Sequence, residues 1–199
     1  MKIPESFPKE INLGKYKSIT VRMLQESDEP LLVEFMKSLP TDERAFFRDD
    51  VVDPSVIRDW VNNSDFDKVF PLVAFYEDKL AANWTLHMRE HLWTRHLAKL
   101  RGVVHPDYRG MGIANAMVYE LLTVAGNKNV ERVVIELVAN QKQLLERFKG
   151  IGFKVEAKMK NWVKDFHGNY RDLIILSMKC EPAWRKMEEL IMEYGTHGG

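Results

Sequence analysis

VVHPDYRGMGIANAMVYELLTVA, Val103 to Ala125, is the most informative stretch of the chain. Val103 and Val104 close a strand, Pro106-Asp107 turns the backbone, and Arg109-Gly110-Met111-Gly112 leads into a helix that continues to Ala125. Glycines at a strand-to-helix junction let the backbone approach a ligand with no Cβ in the way. The N–H groups of Gly110, Met111, Gly112, Ile113, Ala114 and Asn115 converge on one point. The helix N-terminus brings about half a positive charge there, so the junction suits an anion such as a pyrophosphate. Two other phosphate loops are excluded. The chain has no G-x-x-x-x-G-K-[ST], and the G-x-G at 110–112 lacks the third glycine of a dinucleotide fingerprint because position 115 is Asn.

Upstream of this junction, Ile19 to Met23 (ITVRM) alternates as a half-buried strand. Ser27 and Asp28 offer an N-cap and Pro30 a first-turn proline for a helix with Leu31, Leu32, Phe35, Met36 and Leu39 on its stripe, ended by Pro40. A polar loop, TDERAFFRDDVVD, follows; its Phe46 and Phe47 read either as a substrate lid or as pins holding the loop to the core. Asp53-Pro54 starts a second helix carrying Val56, Ile57, Trp60 and Val61. From Val69 the chain is strand-rich, VFPLVAFYE and LAANWTLHM and then a run to Val104, which predicts an antiparallel meander. Downstream, the long helix meets the stop signal Gly126-Asn127, and Val130 to Val138 reads as a buried strand. Gln141 to Lys149 is a short helix stopped at Gly150. Two strands, Phe153 to Val163 and Tyr170 to Lys179, flank a His167-Gly168-Asn169 turn. Pro182 to Tyr194 has an amphipathic pattern, with Trp184, Met187, Leu190, Ile191 and Tyr194 on one side. This helix either covers the core or forms a homodimer contact. The order of elements predicts an α/β (α+β) fold around a mixed sheet. Residues 1–17 are expected to drape over the surface as an extension, 18–180 to form the domain, and 181–199 a helix and tail.

Composition narrows the function classes. The chain has 199 residues, 45% of them hydrophobic, with 29 basic against 29 acidic side chains and one cysteine. Zero net charge removes the bulk electrostatic case for nucleic acid. A single cysteine, Cys180, excludes an internal disulfide and fits a reducing, cytoplasmic setting. No run approaches the roughly 18 apolar residues of a membrane span. His87, Glu90, His91 and His96 cluster in one hairpin; they read as solvated polar residues or as zinc ligands, and we expect no metal. Cys180, at a strand end, is expected to be inert.

The junction resembles the hallmark of the GNAT superfamily of coenzyme A-dependent N-acetyltransferases, [Q/R]-x-x-G-x-[G/A] after a V-x-P-type strand end. Arg109-Gly110-Met111-Gly112-Ile113-Ala114 follows Val104-His105-Pro106 in that pattern. A strand with a glutamate (Glu136), a short helix and Gly152-Phe153 come in the family's order, so the likeness is sharp from Val103 to Phe153 and loose elsewhere. The resemblance implies a mostly antiparallel sheet of about seven strands whose fourth and fifth strands splay to admit acetyl-CoA. It also implies that the backbone of Gly102, Val103 and Val104 pairs with the pantetheine arm like an added strand, and that the amides from Gly110 to Asn115 hold the pyrophosphate. Arg109 either binds phosphate or shapes the loop.

The reaction so implied is acyl transfer from acetyl-CoA, as co-substrate, to a primary amine of a small molecule or a protein. An α-amine, with pKa about 7.7–8.0, is partly neutral at pH 7, whereas a lysine near about 10.4 is not. Glu136 stands where some members keep a general base; its other reading is a strand glutamate with a structural partner. Two positions depart from the family. The usual asparagine after the fifth strand is Gln141, with Asn140 one residue early as a substitute. The usual general-acid tyrosine is Phe148, which has no proton to give; Tyr119 and Tyr170 are replacement candidates. Trp84, Trp93 and His96 are candidates to line the acceptor cleft. The alternatives are an acyl-CoA-binding regulatory module without turnover, and a nucleotide-binding protein that uses the same glycine turn.

Overall fold

The computed structural model describes residues 7–15, 18–47, 49–62, 65–165 and 167–180. The apolar runs of the meander become the middle of one sheet. Its described strands are β1 (Lys9–Ile11), β2 (Ile19–Met23), β3 (Val69–Tyr76), β4 (Lys79–Met88), β5 (Leu97–Val104), β6 (Arg132–Val138), β7 (Lys154–Lys164) and β8 (Tyr170–Lys179). They lie side by side in the order β1-β2-β3-β4-β5-β6-β8-β7. All neighbours are antiparallel except β5 and β6. The described helices are α1 (Glu29–Ser38), α2 (Thr41–Arg44), α3 (Pro54–Asn62), α4 (Ile113–Asn127) and α5 (Lys142–Ile151).

β3 and β4 are nearly continuous in apolar residues because helices cover both faces of the sheet. On one face α4 and α5 press Met117, Leu121 and Phe148 onto Leu72, Leu86 and Ile135. On the other, α1 and α3 bury Leu32, Phe35, Met36 and Ile57 against Val73. No helix among the described residues is long and apolar enough to cross a membrane.

Several local features refine the sequence reading. Residues 1–17 do not simply drape: Lys9–Ile11 pairs with β2, Lys9 opposite Val21 and Ile11 opposite Ile19. This covers the open hydrogen-bonding edge that β2 would otherwise present. The polar loop after Pro40 begins with the single turn α2, and its Phe47 packs on the α1–α3 cluster, so that ring pins the loop. α4 runs through Gly126 to Asn127, and α5 runs through Gly150 and ends at Gly152. A helical glycine weakens a helix by about 1 kcal/mol relative to alanine without stopping it. The amphipathic pattern at 182–194 lies outside the described residues.

Asp28 stands at the N-cap of α1, yet its carboxylate does not cap that helix. It accepts a two-pronged bond from Arg22, at 2.6 and 2.7 Å, and the Gln25 N–H at 2.8 Å, and it is 2% exposed. Burial alone would raise its pKa; the Arg22 hydrogen bond, the Gln25 N–H and the Arg22 charge outweigh burial and hold it below the ordinary aspartate value. A depressed folded-state pKa contributes stability that is present above the unfolded value of about 3.9 and is lost as pH falls through the folded one. Asp28→Asn is therefore expected to cost about 2 kcal/mol at pH 7. Its melting temperature should fall less than the wild type's between pH 5 and pH 2. Parallel melting curves against pH would overturn this account.

Candidate functional site

β5 and β6 run parallel, but they pair only where Leu97–Lys99 meets Arg132–Val134. Beyond that point β5 stays with β4 and β6 stays with β8, so residues 100–104 and 135–138 diverge as the arms of a V. His105 N–H donates to the Ala81 carbonyl at 2.8 Å. Antiparallel alternation from that bond turns the backbone groups of Arg101 and Val103 toward β4, and those of Leu100, Gly102 and Val104 toward the gap. Of the three residues expected to pair with a pantetheine arm, Gly102 and Val104 thus face the gap and Val103 does not. The Val104 carbonyl already accepts Arg109 Nε at 3.1 Å.

At the open end of the V the chain makes a single 3-10 turn, Pro106–Tyr108, capped by His105 Nδ1, which accepts the Asp107 N–H. The His105 ring packs 5.9 Å from Phe35 and 5.5 Å from Tyr108, fixing the turn to α1. Gly110 and Gly112 follow with φ of 82° and 94°, a left-handed backbone that residues with a Cβ adopt at a cost. Ala116 N–H is bonded to the Gly112 carbonyl, so the N–H groups of Ile113, Ala114 and Asn115 lie outside the helical ladder. Ile113 and Ala114 are buried, which anchors this donor-rich end in the core. Met111 packs against the same core. Arg109 forks onto Glu43 of α2 at 2.8 and 2.7 Å. With its bond to Val104, this guanidinium ties the loop after α1 to the end of β5, which is the loop-shaping reading.

At the closed end of the V lies a cleft of about 470 Å³, lined by His87, Met88, Arg89, Lys99, Arg101 and Glu136. Strand alternation builds it: Val133, Ile135 and Leu137 are buried, while Glu136 is exposed on the opposite face, the one that carries α1 and α3. Lys99 Nζ ion-pairs with Glu136 Oε2 across the apex. Glu136 therefore has the strand partner that its structural reading required, and it also lines the cleft. The cations around it were missed by sequence reasoning. Their signal lay in LAKLRGVV, where Lys99 and Arg101 alternate with Ala98 and Leu100 and so share a face.

Behind the gap, Trp84 is buried flat over Gly102 and lies 6.3 Å from the Phe148 ring, which stacks edge-on to Phe153 at 5.5 Å. Phe148 is 3% exposed and belongs to the core. Trp84 Nε1 and Asn83 Oδ1 are buried without hydrogen-bond partners among the described residues. Gln141 Oε1 accepts the Val138 N–H at 3.0 Å and so stiffens the β6–α5 turn, on which Asn140 is exposed. Tyr119 and Tyr170 are 54% and 62% exposed, and neither lines the Glu136 cleft. Trp93 is exposed at the hairpin tip rather than in the cleft, and His96 does not line the cleft either. In the same hairpin Glu90 pairs with Lys68, and His87 Nε2 bonds with Thr85. Among the described residues no three His, Cys, Asp or Glu side chains gather as a metal site. Burial pushes the Cys180 thiol up to about 11, against thiolate chemistry at neutral pH.

Comparison with solved structures finds the same architecture. The GNAT domain of S. lividans PAT superposes with a TM-score of 0.72 at 17% identity, covering 89% of this chain and 99% of that one. Ribosomal-protein-alanine N-acetyltransferase from Brucella melitensis gives 0.69 at 22%, covering 80% and 98%. The yncA protein of Salmonella typhimurium, solved with its cofactor acetyl-CoA, gives 0.70 at 17%, covering 82% and 94%. At such identities these likenesses are of fold. Among curated protein sequences nothing matches the chain. The sequence model of the acetyltransferase (GNAT) family, however, matches residues 32–153, more than half of the chain. That span runs from α1 through both arms of the V to Phe153, and on this match the chain belongs to the acetyltransferase (GNAT) family.

Proposed function

We propose that the protein transfers an acetyl group from acetyl-CoA to a primary amine by direct attack of the amine on the thioester. The observation that carries this reading is the V between β5 and β6, with unbonded helix-start amides at its mouth and a carboxylate at its apex. Acetyl-CoA fits those features. Its diphosphate suits the N–H groups of residues 110–115, and its pantetheine arm suits the backbone of Gly102 and Val104 as an added strand. An arm that enters at the mouth and runs inward brings the thioester to the narrowing apex, beside Glu136.

There the nitrogen–carbon bond forms and the carbon–sulfur bond breaks. Glu136, oriented by Lys99, takes the proton from the amine directly or through a water. With Phe148 held in the core, the leaving thiolate has no tyrosine to protonate it. A thiol of pKa about 8.5 is a good enough leaving group to depart and take its proton from water.

Calorimetry with acetyl-CoA, followed by coenzyme A thiol release with a panel of amines, tests the proposal. Binding and amine-dependent release are expected. Glu136→Gln should lower kcat by about 10²-fold or more while leaving acetyl-CoA affinity unchanged. An unchanged kcat would remove Glu136 from the mechanism. Binding with no release for any amine would favour a module that senses acyl-CoA without turnover, a reading the loss of the tyrosine at Phe148 keeps alive. Equal affinity for ATP or NAD would favour a nucleotide-binding protein.

A further inference from the structure

We infer that the tip of the β4–β5 hairpin is a docking surface for the chain's own segment 182–194, whose apolar stripe seats on Leu92 and Trp93. These two side chains are 82% and 83% exposed, the most exposed large apolar ones among the described residues. They are adjacent and lie in the turns between Met88 and Leu97. A single exposed apolar side chain needs no explanation, but two side by side at a hairpin tip form a patch that suits an apolar partner. Met88 and Arg89, at the base of the same hairpin, line the cleft that holds Glu136, so tip and cleft share one element.

The chain brings that partner to the place. Cys180 N–H donates to the Glu131 carbonyl at 2.8 Å, and the N–H groups of Glu131 and Arg132 donate to the His96 carbonyl at 2.9 and 3.1 Å. β8 therefore ends beside the base of the hairpin, and the segment that begins at Pro182 follows directly. In sequence, Trp184, Met187, Leu190, Ile191 and Tyr194 recur three and four residues apart, the spacing of one helix face. A helix so short is marginal in water alone and needs a surface for its apolar face. Its reach is sufficient. Leu92 is four residues from His96, at most about 14 Å of chain, whereas a helix over 182–194 is about 20 Å long. Charge favours the same pairing. Neither Arg89 nor Arg95 has an ion pair among the described residues, while Glu90, the one carboxylate of the tip, is held by Lys68. The segment sets Glu188, Glu189 and Glu193, with Glu181 just before it, against Arg185 and Lys186. An acidic segment is attracted to a basic tip, whereas a second copy of the tip is repelled. Tethering adds to this, because an attached segment meets the tip at an effective concentration on the order of millimolar.

Hydrogen–deuterium exchange on the full chain, at several protein concentrations, tests the inference. Amides of residues 184–194 are expected to exchange at least about tenfold more slowly than those of an unstructured peptide of the same sequence. Leu92→Asp with Trp93→Asp alters two exposed side chains, which the fold tolerates, and should return the segment to the unstructured rate. Reciprocally, Leu190→Asp with Ile191→Asp should speed exchange at residues 91–95. Protection should not depend on protein concentration, and light scattering should give one mass for the wild type and both variants. Segment amides that exchange at the unstructured rate in the wild type would overturn the inference, as would protection that survives Leu92→Asp with Trp93→Asp. Protection that grows with concentration alongside a doubled mass would overturn it in favour of a second copy as the occupant.

Discussion

Gly112→Glu is expected to weaken acetyl-CoA binding by at least about 100-fold while leaving a folded protein. Two effects act together. Gly112 has φ of 94°, so any side chain there costs about 1–2 kcal/mol of backbone strain. A carboxylate at the N-cap of α4 also places a negative charge where a diphosphate would sit, and it uses the helix-start amides that the diphosphate needs. Gly112→Ala separates the two. The space beside Gly112 is open enough for a methyl group, its nearest neighbour being Leu13 Cδ2 at 4.0 Å. Alanine should therefore carry the strain alone. Both variants should melt a few degrees below wild type, and calorimetry should show affinity falling much further for glutamate than for alanine. Equal affinities in the two variants would mean that the amides past Tyr108 are not the anion cradle.

This junction was readable in the sequence because its signal is local. A strand end, a turn and two glycines before an apolar helix fall within about a dozen residues, and each is set by backbone conformation rather than by distant packing. The meander and the helices on either side were readable for the same reason, since periodicity needs only neighbours along the chain. β1 was not. Lys9–Ile11 has three residues, too few for a period, and it is a strand only because β2 offers an edge. The Arg109–Glu43 fork joins residues 66 apart, and no pattern in either segment announces it. The cationic lining of the apex needs the register of three strands, His87 opposite Lys99 and Lys99 opposite Val134, before its side chains can be seen to share one cleft. Phe148 shows both sides of the problem. Its departure from the family pattern was visible in the sequence, whereas its burial beside Trp84 and Phe153 is a packing outcome.

Gly102→Ala should be among the most damaging conservative substitutions in the sheet. A Cβ built at Gly102 falls 2.0 Å from Trp84 Cδ2, 2.2 Å from Cγ and 2.5 Å from Cε2. These are atoms at the root and body of a rigid indole, not the tip of a flexible chain. The indole cannot swing aside, because Trp84 is 4% exposed and packed against the tilted ring of Phe148. Either β5 shifts or the ring leaves its site, and we expect a loss of about 3 kcal/mol or more in urea unfolding. Trp84→Ala alone should cost about 3–5 kcal/mol for the vacated volume. The double variant should cost less than the sum of the two by about 2 kcal/mol or more, since the methyl group then occupies space the indole has left. Strict additivity would mean that Gly102 and Trp84 do not touch as described. The same pair bears on the cofactor, because Gly102 turns its backbone groups toward the gap whatever its side chain. If acetyl-CoA binding is lost in Gly102→Ala and returns in the double variant, the glycine serves the site by letting Trp84 lie flat beneath it, and the hydrogen bonds come from a backbone that any residue could supply.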